Sequence, residues 1–155
     1  MVNGRSAWER HYDPWKDAQD RLADGASEEA RASAIWQLRR AVEFRDKAFK
    51  VTYPFDKIPG FNERTYHKLL LDLEIILPIM RTTLVNIRNS ISHDETEKPP
   101  NLDRCREFSE FTWYYLKSTD HLLSSPIGTL AFDDDDLGSC SIRVEMDTLE
   151  YTSGG

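Results

Sequence analysis

Two long, uninterrupted segments of helical period do most to limit how this chain can fold. From Ser27 to about Lys50, the apolar residues Ile35, Leu38, Val42 and Phe49 recur at helical spacing, which places them on one face of a helix. Ser27 followed by Glu28 and Glu29 supplies the capping oxygen and the acidic first turn that suit a helix start. The second segment opens on Asn101 and carries Leu102, Cys105, Phe108, Thr112, Tyr115, Leu116 and Leu122 to about Leu123. Two such helices, each apolar on one side, must cover those sides against other elements, so the chain is predicted to be mainly α.

The remaining segments fill in around this pair. From Trp8 to about Ala23 the residues favour helix, with Pro14 tolerated only where a helix starts or kinks. The stretch VTYPFDKIPGF breaks the pattern and predicts a loop. Asn62 beside Glu63 restarts a helix, with Tyr66, Leu69, Leu70, Leu73 and Ile76 along one side, until Pro78 imposes a boundary or a kink. A further helix from about Ile79, with Met80, Leu84, Ile87 and Ile91 as its apolar stripe, is predicted to end near His93 before DETEKPP. After Pro126, TLAF and SCSIRVEMDTLEY predict a short β-hairpin, since Ile142, Val144 and Met146 alternate with Arg143 and Glu145. The run Asp133 to Asp136 between them lacks calcium-loop spacing and reads as a solvated turn. The expected organisation is therefore a helical domain over residues 1–124 and an extension over 125–155.

Composition narrows the function. The net charge of −7 over 155 residues argues against a protein that coats nucleic acid indiscriminately, because that mode needs many cations against phosphates. Positive residues nonetheless gather at Arg39, Arg40, Arg45, Lys47 and Lys50, which read as a solvated helix face. Trp113, Tyr114 and Tyr115 read as core and groove lining rather than as a platform for stacking bases. No apolar run suits a membrane span or a signal peptide. Cys105 and Cys140 match no metal or redox spacing, so idle thiols in a reducing compartment, the cytoplasm, are expected. His11, His67, His93 and His121 form no zinc spacing, and phosphate-cradling loops and serine-hydrolase elbows are absent. Neither a metal nor a cofactor is expected. General acid–base chemistry remains.

The candidate for it is R-N-S-I-S-H. Asn89 and His93 stand four apart, on one face if the helix continues, and the long side chain of Arg88 can reach round to them. An imidazole titrates near neutral pH and suits proton transfer. A guanidinium stays charged and forks onto phosphate oxygens. The amide of Asn89 can orient the imidazole or bond a phosphate. Read structurally, His93 is a helix C-cap favoured by the dipole.

R-N-x-x-x-H at the end of the penultimate long helix resembles the motif of HEPN domains (higher eukaryotes and prokaryotes nucleotide-binding), in which an Arg, a polar residue that is frequently Asn, and a His close an R-x(4 to 6)-H element. WQLRRAVEFRDKAFK likewise resembles the Arg- and Glu-bearing second helix of many members, and the likeness spans roughly residues 27–124. It implies an up-and-down bundle of about five helices and a metal-independent RNA endonuclease with Arg88, Asn89 and His93 as site residues. It further implies a homodimer whose two motifs face one cleft, and a toxin or antiviral setting with an antitoxin or defence partner. Asp94 and Glu95 beside His93 favour the imidazolium, and so an acid role, if they lie close to it in the fold. Glu95 also departs from members that carry a Tyr two places after the His. The terminal hairpin lies outside the family's helical core. Two other readings use the same residues: a non-catalytic module that binds a nucleotide, RNA or protein, and a structural subunit in which the motif is only a cap.

Overall fold

Helix starts follow the local chemistry of the chain. In the computed structural model, which describes residues 7–54, 66–90, 98–125, 129–134, 138–144 and 149–153, a 3-10 turn over Ala7–His11 leads into helix α1, Tyr12–Arg21. Pro14 sits in the first turn of α1, where its missing N–H has no intrahelical acceptor to lose. Helix α2, Glu28–Thr52, begins on Ser27, whose side chain accepts from the Ala30 N–H at 3.1 Å. Helix α5, Leu102–Ser124, begins on Asn101, whose Oδ1 accepts from the Arg104 N–H at 2.9 Å. Each cap is worth about 1 kcal/mol.

Helix α3, Tyr66–Asp72, stops before the predicted stripe runs out. Glu74 adopts φ 55°, and the N–H groups of Glu74 and Ile75 bond back to the carbonyls of Leu71 and Leu70. These bonds make a Schellman closure with a non-glycine residue at its left-handed position. The turn carries Ile76 into the core although it is no longer helical. Pro78 then opens helix α4, Pro78–Asn89, as its first residue, a boundary rather than a kink.

The helices pack around two apolar clusters whose membership fixes their directions. One joins Ala18 of α1, Leu22 just after it, Ile35 and Leu38 of α2, Ile87 of α4, and Cys105 and Phe108 of α5. The other joins Val42 and Phe49 of α2, Leu69 and Leu70 of α3, Leu84 of α4, and Tyr115 and Leu122 of α5. First halves of α2 and α5 therefore meet each other, as do their second halves, so the two run side by side in the same direction. Helix α4 runs against both, since its earlier Leu84 meets their second halves and its later Ile87 their first. Each fully buried leucine or isoleucine contributes about 1.5–3 kcal/mol.

One basic residue departs from the sequence reading. Arg45 is wholly buried instead of solvated, and its guanidinium ties three elements together. It donates to His11 Nδ1 at 3.1 Å, to the Leu116 carbonyl and Thr119 Oγ1 at 3.0 Å, and to Asp120 Oδ1 at 2.7 Å. The Tyr12 hydroxyl donates to the other Asp120 oxygen at 2.7 Å. Burial, and next the Arg45 charge, hold the His11 imidazole down at about 4, so it stays neutral and can accept.

The C-terminal segment forms a three-stranded antiparallel sheet in the order β1, Thr129–Asp134; β2, Gly138–Val144; β3, Leu149–Ser153. Leu130 pairs with Ile142, and Ile142 with Tyr151. The sequence reading joined the last two strands in one segment, and the structure divides them. Asp133 and Asp134 belong to β1, whereas Asp135, Asp136, Glu145 and Met146 lie outside the described residues, as do Asn62, Ile91 and Pro126. Among the described residues, no helix is long and apolar enough to cross a membrane.

Candidate functional site

The apolar stripe of α2 is bordered by a polar one of the same period. Arg39, Glu43, Asp46, Lys47 and Lys50 follow one another at three- to four-residue steps or side by side, and all line one cleft. Leu84 and Ile87 of α4 and Val42 of α2 add apolar lining, His67 of α3 closes one part of it, and Arg88 of α4 completes it. The cleft encloses about 530 Å³, within the range of small-ligand sites.

Four cationic side chains face two carboxylates in this cleft, the reverse of the balance over the whole chain. Arg39 and Glu43 pair at 2.8 Å. Among the described residues, Lys47 and Arg88 have no carboxylate partner. Arg88 is exposed and follows the buried Ile87 in α4. Its charge is therefore available to an incoming anion, and the partly apolar walls weaken water's screening of that charge.

The predicted trio is distributed as follows. Arg88 lines the cleft. Asn89 is exposed as the last residue of α4, and the described lining residues do not include it. A step of one residue turns about 100° round a helix, which carries Asn89 away from the face that holds Arg88. Ser90 closes the helix, its N–H and hydroxyl donating to the Asn86 carbonyl at 2.8 and 2.5 Å. His93, with Asp94 and Glu95, lies outside the described residues.

An imidazole that the sequence reading did not single out lines the cleft, that of His67. Nε2 of His67 lies 3.1 Å from both carboxylate oxygens of Asp46. An ionised carboxylate only accepts, so Nε2 carries a proton and Nδ1 is the ring nitrogen that Asp46 does not engage. Asp46 is itself held by the Tyr115 hydroxyl, which donates to Oδ1 at 2.6 Å. Burial, and next the Asp46 charge, push the Tyr115 hydroxyl well above its ordinary value, so it remains a donor. The Tyr115 ring also meets the His67 ring edge-on, 6.0 Å between centroids at 79°. Three elements thus fix one imidazole. No spacing rule reveals this, because Asp46, His67 and Tyr115 are brought together only by the packing of α2, α3 and α5.

Among the described residues, no three His, Cys, Asp or Glu side chains gather into a metal-binding set. Cys105 is buried, its thiol directed to the Pro100 carbonyl at 3.4 Å and pushed up by burial, which suits packing rather than reactivity. The side chain of Cys140 lies outside the described residues. Comparison of the chain with family models, with curated proteins and with solved structures gives no match.

Proposed function

We propose that this chain is a metal-independent RNA endonuclease of HEPN type, which cuts by attack of the neighbouring 2′-hydroxyl on phosphorus. The observation that carries the reading is the placement of Arg88 at the end of α4, opening onto a cleft whose opposite wall is the cationic stripe of α2. A phosphodiester in that cleft meets guanidinium and ammonium groups suited to the charge that grows on its non-bridging oxygens. The reaction forms the 2′-O–P bond and breaks the P–O5′ bond. A base removes the 2′-hydroxyl proton, and an acid supplies one to the departing 5′-oxygen.

In this reading Arg88 stabilises charge and His93 handles a proton, while Asn89 orients either the imidazole or the RNA. Two copies of the motif face each other in a homodimer. The biological setting is a toxin or antiviral effector in the cytoplasm, restrained by an antitoxin or defence partner. In this reading helices α1 to α5 serve as the helical core, and the terminal strands are an addition to it. A non-catalytic module that holds RNA or a nucleotide in the same cleft is the second reading, favoured by the Arg39–Glu43 pair, which already neutralises one of the cleft's cations.

The test is incubation of the purified protein with total RNA in excess EDTA, beside Arg88→Ala and His93→Ala. The nuclease reading expects fragments ending in 2′,3′-cyclic phosphate, with cleavage reduced about 100-fold or more in either variant. Binding of RNA without fragments supports the module instead. Equal cleavage by all three preparations contradicts the nuclease assignment.

A further inference from the structure

The proposed scheme draws its second imidazole from the partner copy of the motif, and the cleft of a single chain contains another candidate that lines it together with Arg88. We infer that His67, positioned by Asp46 and Tyr115, is a second proton carrier at this site, so that one chain holds both a charge-stabilising Arg and an oriented His against the same phosphate. The inference rests on the proposed phosphodiester chemistry for its reaction, but not for its ligand, which is a phosphate group in either case.

Three features of the geometry point this way. His67 lines the cleft that Arg88 and Lys47 line, so a phosphate held by those cations is enclosed by the same walls as the imidazole. Nε2 is committed to both oxygens of Asp46, which fixes the tautomer and leaves Nδ1 as the basic nitrogen. The carboxylate that orients it is itself pinned by a buried tyrosine hydroxyl. A purely structural His–Asp pair needs neither cations around it nor access to a cleft. Here the imidazole is about one-fifth exposed, and the carboxylate about one-quarter.

With the ring neutral, Nδ1 accepts the proton of the 2′-hydroxyl as the 2′-O–P bond forms. The resulting imidazolium is stabilised by Asp46, and the P–O5′ bond breaks as the 5′-oxygen takes a proton from a separate acid. Asp46 is a positioning residue in this scheme. The charged and titratable groups that line the cleft with His67 are Arg39, Glu43, Asp46, Lys47 and Lys50 from α2 and Arg88 from α4, with Tyr115 from α5 bonded to Asp46.

The experiment has two arms on the intact chain. Cleavage of a defined single-stranded RNA is followed from pH 5 to 9 for the native protein, His67→Ala and Asp46→Asn. The ring proton signals of His67 are followed by NMR while inorganic phosphate is added to the native protein and to Arg88→Ala. Expected results are a loss of about 100-fold or more in His67→Ala, with the acidic limb of the rate profile abolished. Asp46→Asn moves that limb while the variant keeps the native circular dichroism spectrum. Phosphate shifts the His67 ring signals in the native protein and has little effect on them in Arg88→Ala. Undiminished cleavage by His67→Ala with an unchanged profile overturns the inference and leaves the nuclease reading standing. If the native protein cuts no RNA while phosphate still moves the His67 signals, the nuclease reading fails and the shared Arg88–His67 phosphate site holds. Signals unmoved by phosphate, with no RNA cut, overturn both.

Discussion

Arg45 and Asp46 are neighbours in the chain and face opposite fates. The Arg45 guanidinium is wholly buried, and its donors end on a neutral imidazole, a carbonyl, a hydroxyl and a carboxylate. Asp46 turns to the cleft, about one-quarter exposed, where it holds one histidine amid a surplus of positive charge. A buried charge with every guanidinium nitrogen bonded is a structural device, because any ligand would have to displace an established set of partners. An oriented imidazole in a cleft with Lys47 and Arg88, which have no carboxylate partner among the described residues, has interactions still to make, and that marks a place for a ligand.

The comparison breaks most visibly at Arg45. Replacing it with Ala or Met leaves Asp120 without its cation and His11 without its donor, and is expected to cost about 3–5 kcal/mol of stability in urea unfolding. Replacing Arg88 with Ala, by contrast, is expected to change unfolding by less than about 0.5 kcal/mol. Equal losses at the two positions would erase the distinction between the structural and the functional arginine.

A smaller effect sharpens the same contrast. The His11 imidazole is held at about 4 in the fold, below its value of 6.5 in the unfolded chain. Above pH 6.5 it is neutral in both states, and its contribution is fully present. Between 6.5 and 4 the unfolded chain takes up the proton first, so stability is lost as the pH falls through that window. With discounting for partial solvation, this contribution is about 1 to 2 kcal/mol. Urea unfolding at pH 7.5 and 4.5 should show a smaller drop for His11→Gln than for the native protein. The same drop in both would mean that His11 is not the group responsible.

Much of this architecture is legible in the chain. Ser27 and Asn101 cap α2 and α5 because a side-chain oxygen before an apolar-periodic run has a ready use there. The stripes of both helices are buried as their spacing requires, apart from Leu102 at the start of α5, which is half-buried. Helix α3 ends early for a reason that periodicity does not carry: the left-handed turn at Glu74 is compatible with continuing apolar spacing. The candidate site was half visible. Arg88 is prominent in the sequence by its place at a helix end, whereas His67 needs three elements folded together before it meets Asp46 and Tyr115. One trace of both polar arrangements does exist in the sequence. The stripe Ile35, Leu38, Val42, Phe49 is interrupted where Arg45 and Asp46 stand, and a charged pair in the gap of an apolar stripe must find partners inside or at the edge of the core.

The most direct test of the central claim, that the α2–α4 cleft is where this protein meets phosphate, is a binding measurement without turnover. A single-stranded RNA with every 2′-hydroxyl methylated lacks the nucleophile and stays intact, so its affinity can be followed by fluorescence anisotropy. Arg88→Ala is compared with Arg21→Ala, which removes the same charge from α1, where Arg21 is exposed and paired with Asp17. The account predicts that Arg88→Ala weakens binding about 10-fold and lowers the salt slope by about 1, while Arg21→Ala changes neither. Equal weakening by both substitutions, or by neither, would contradict it.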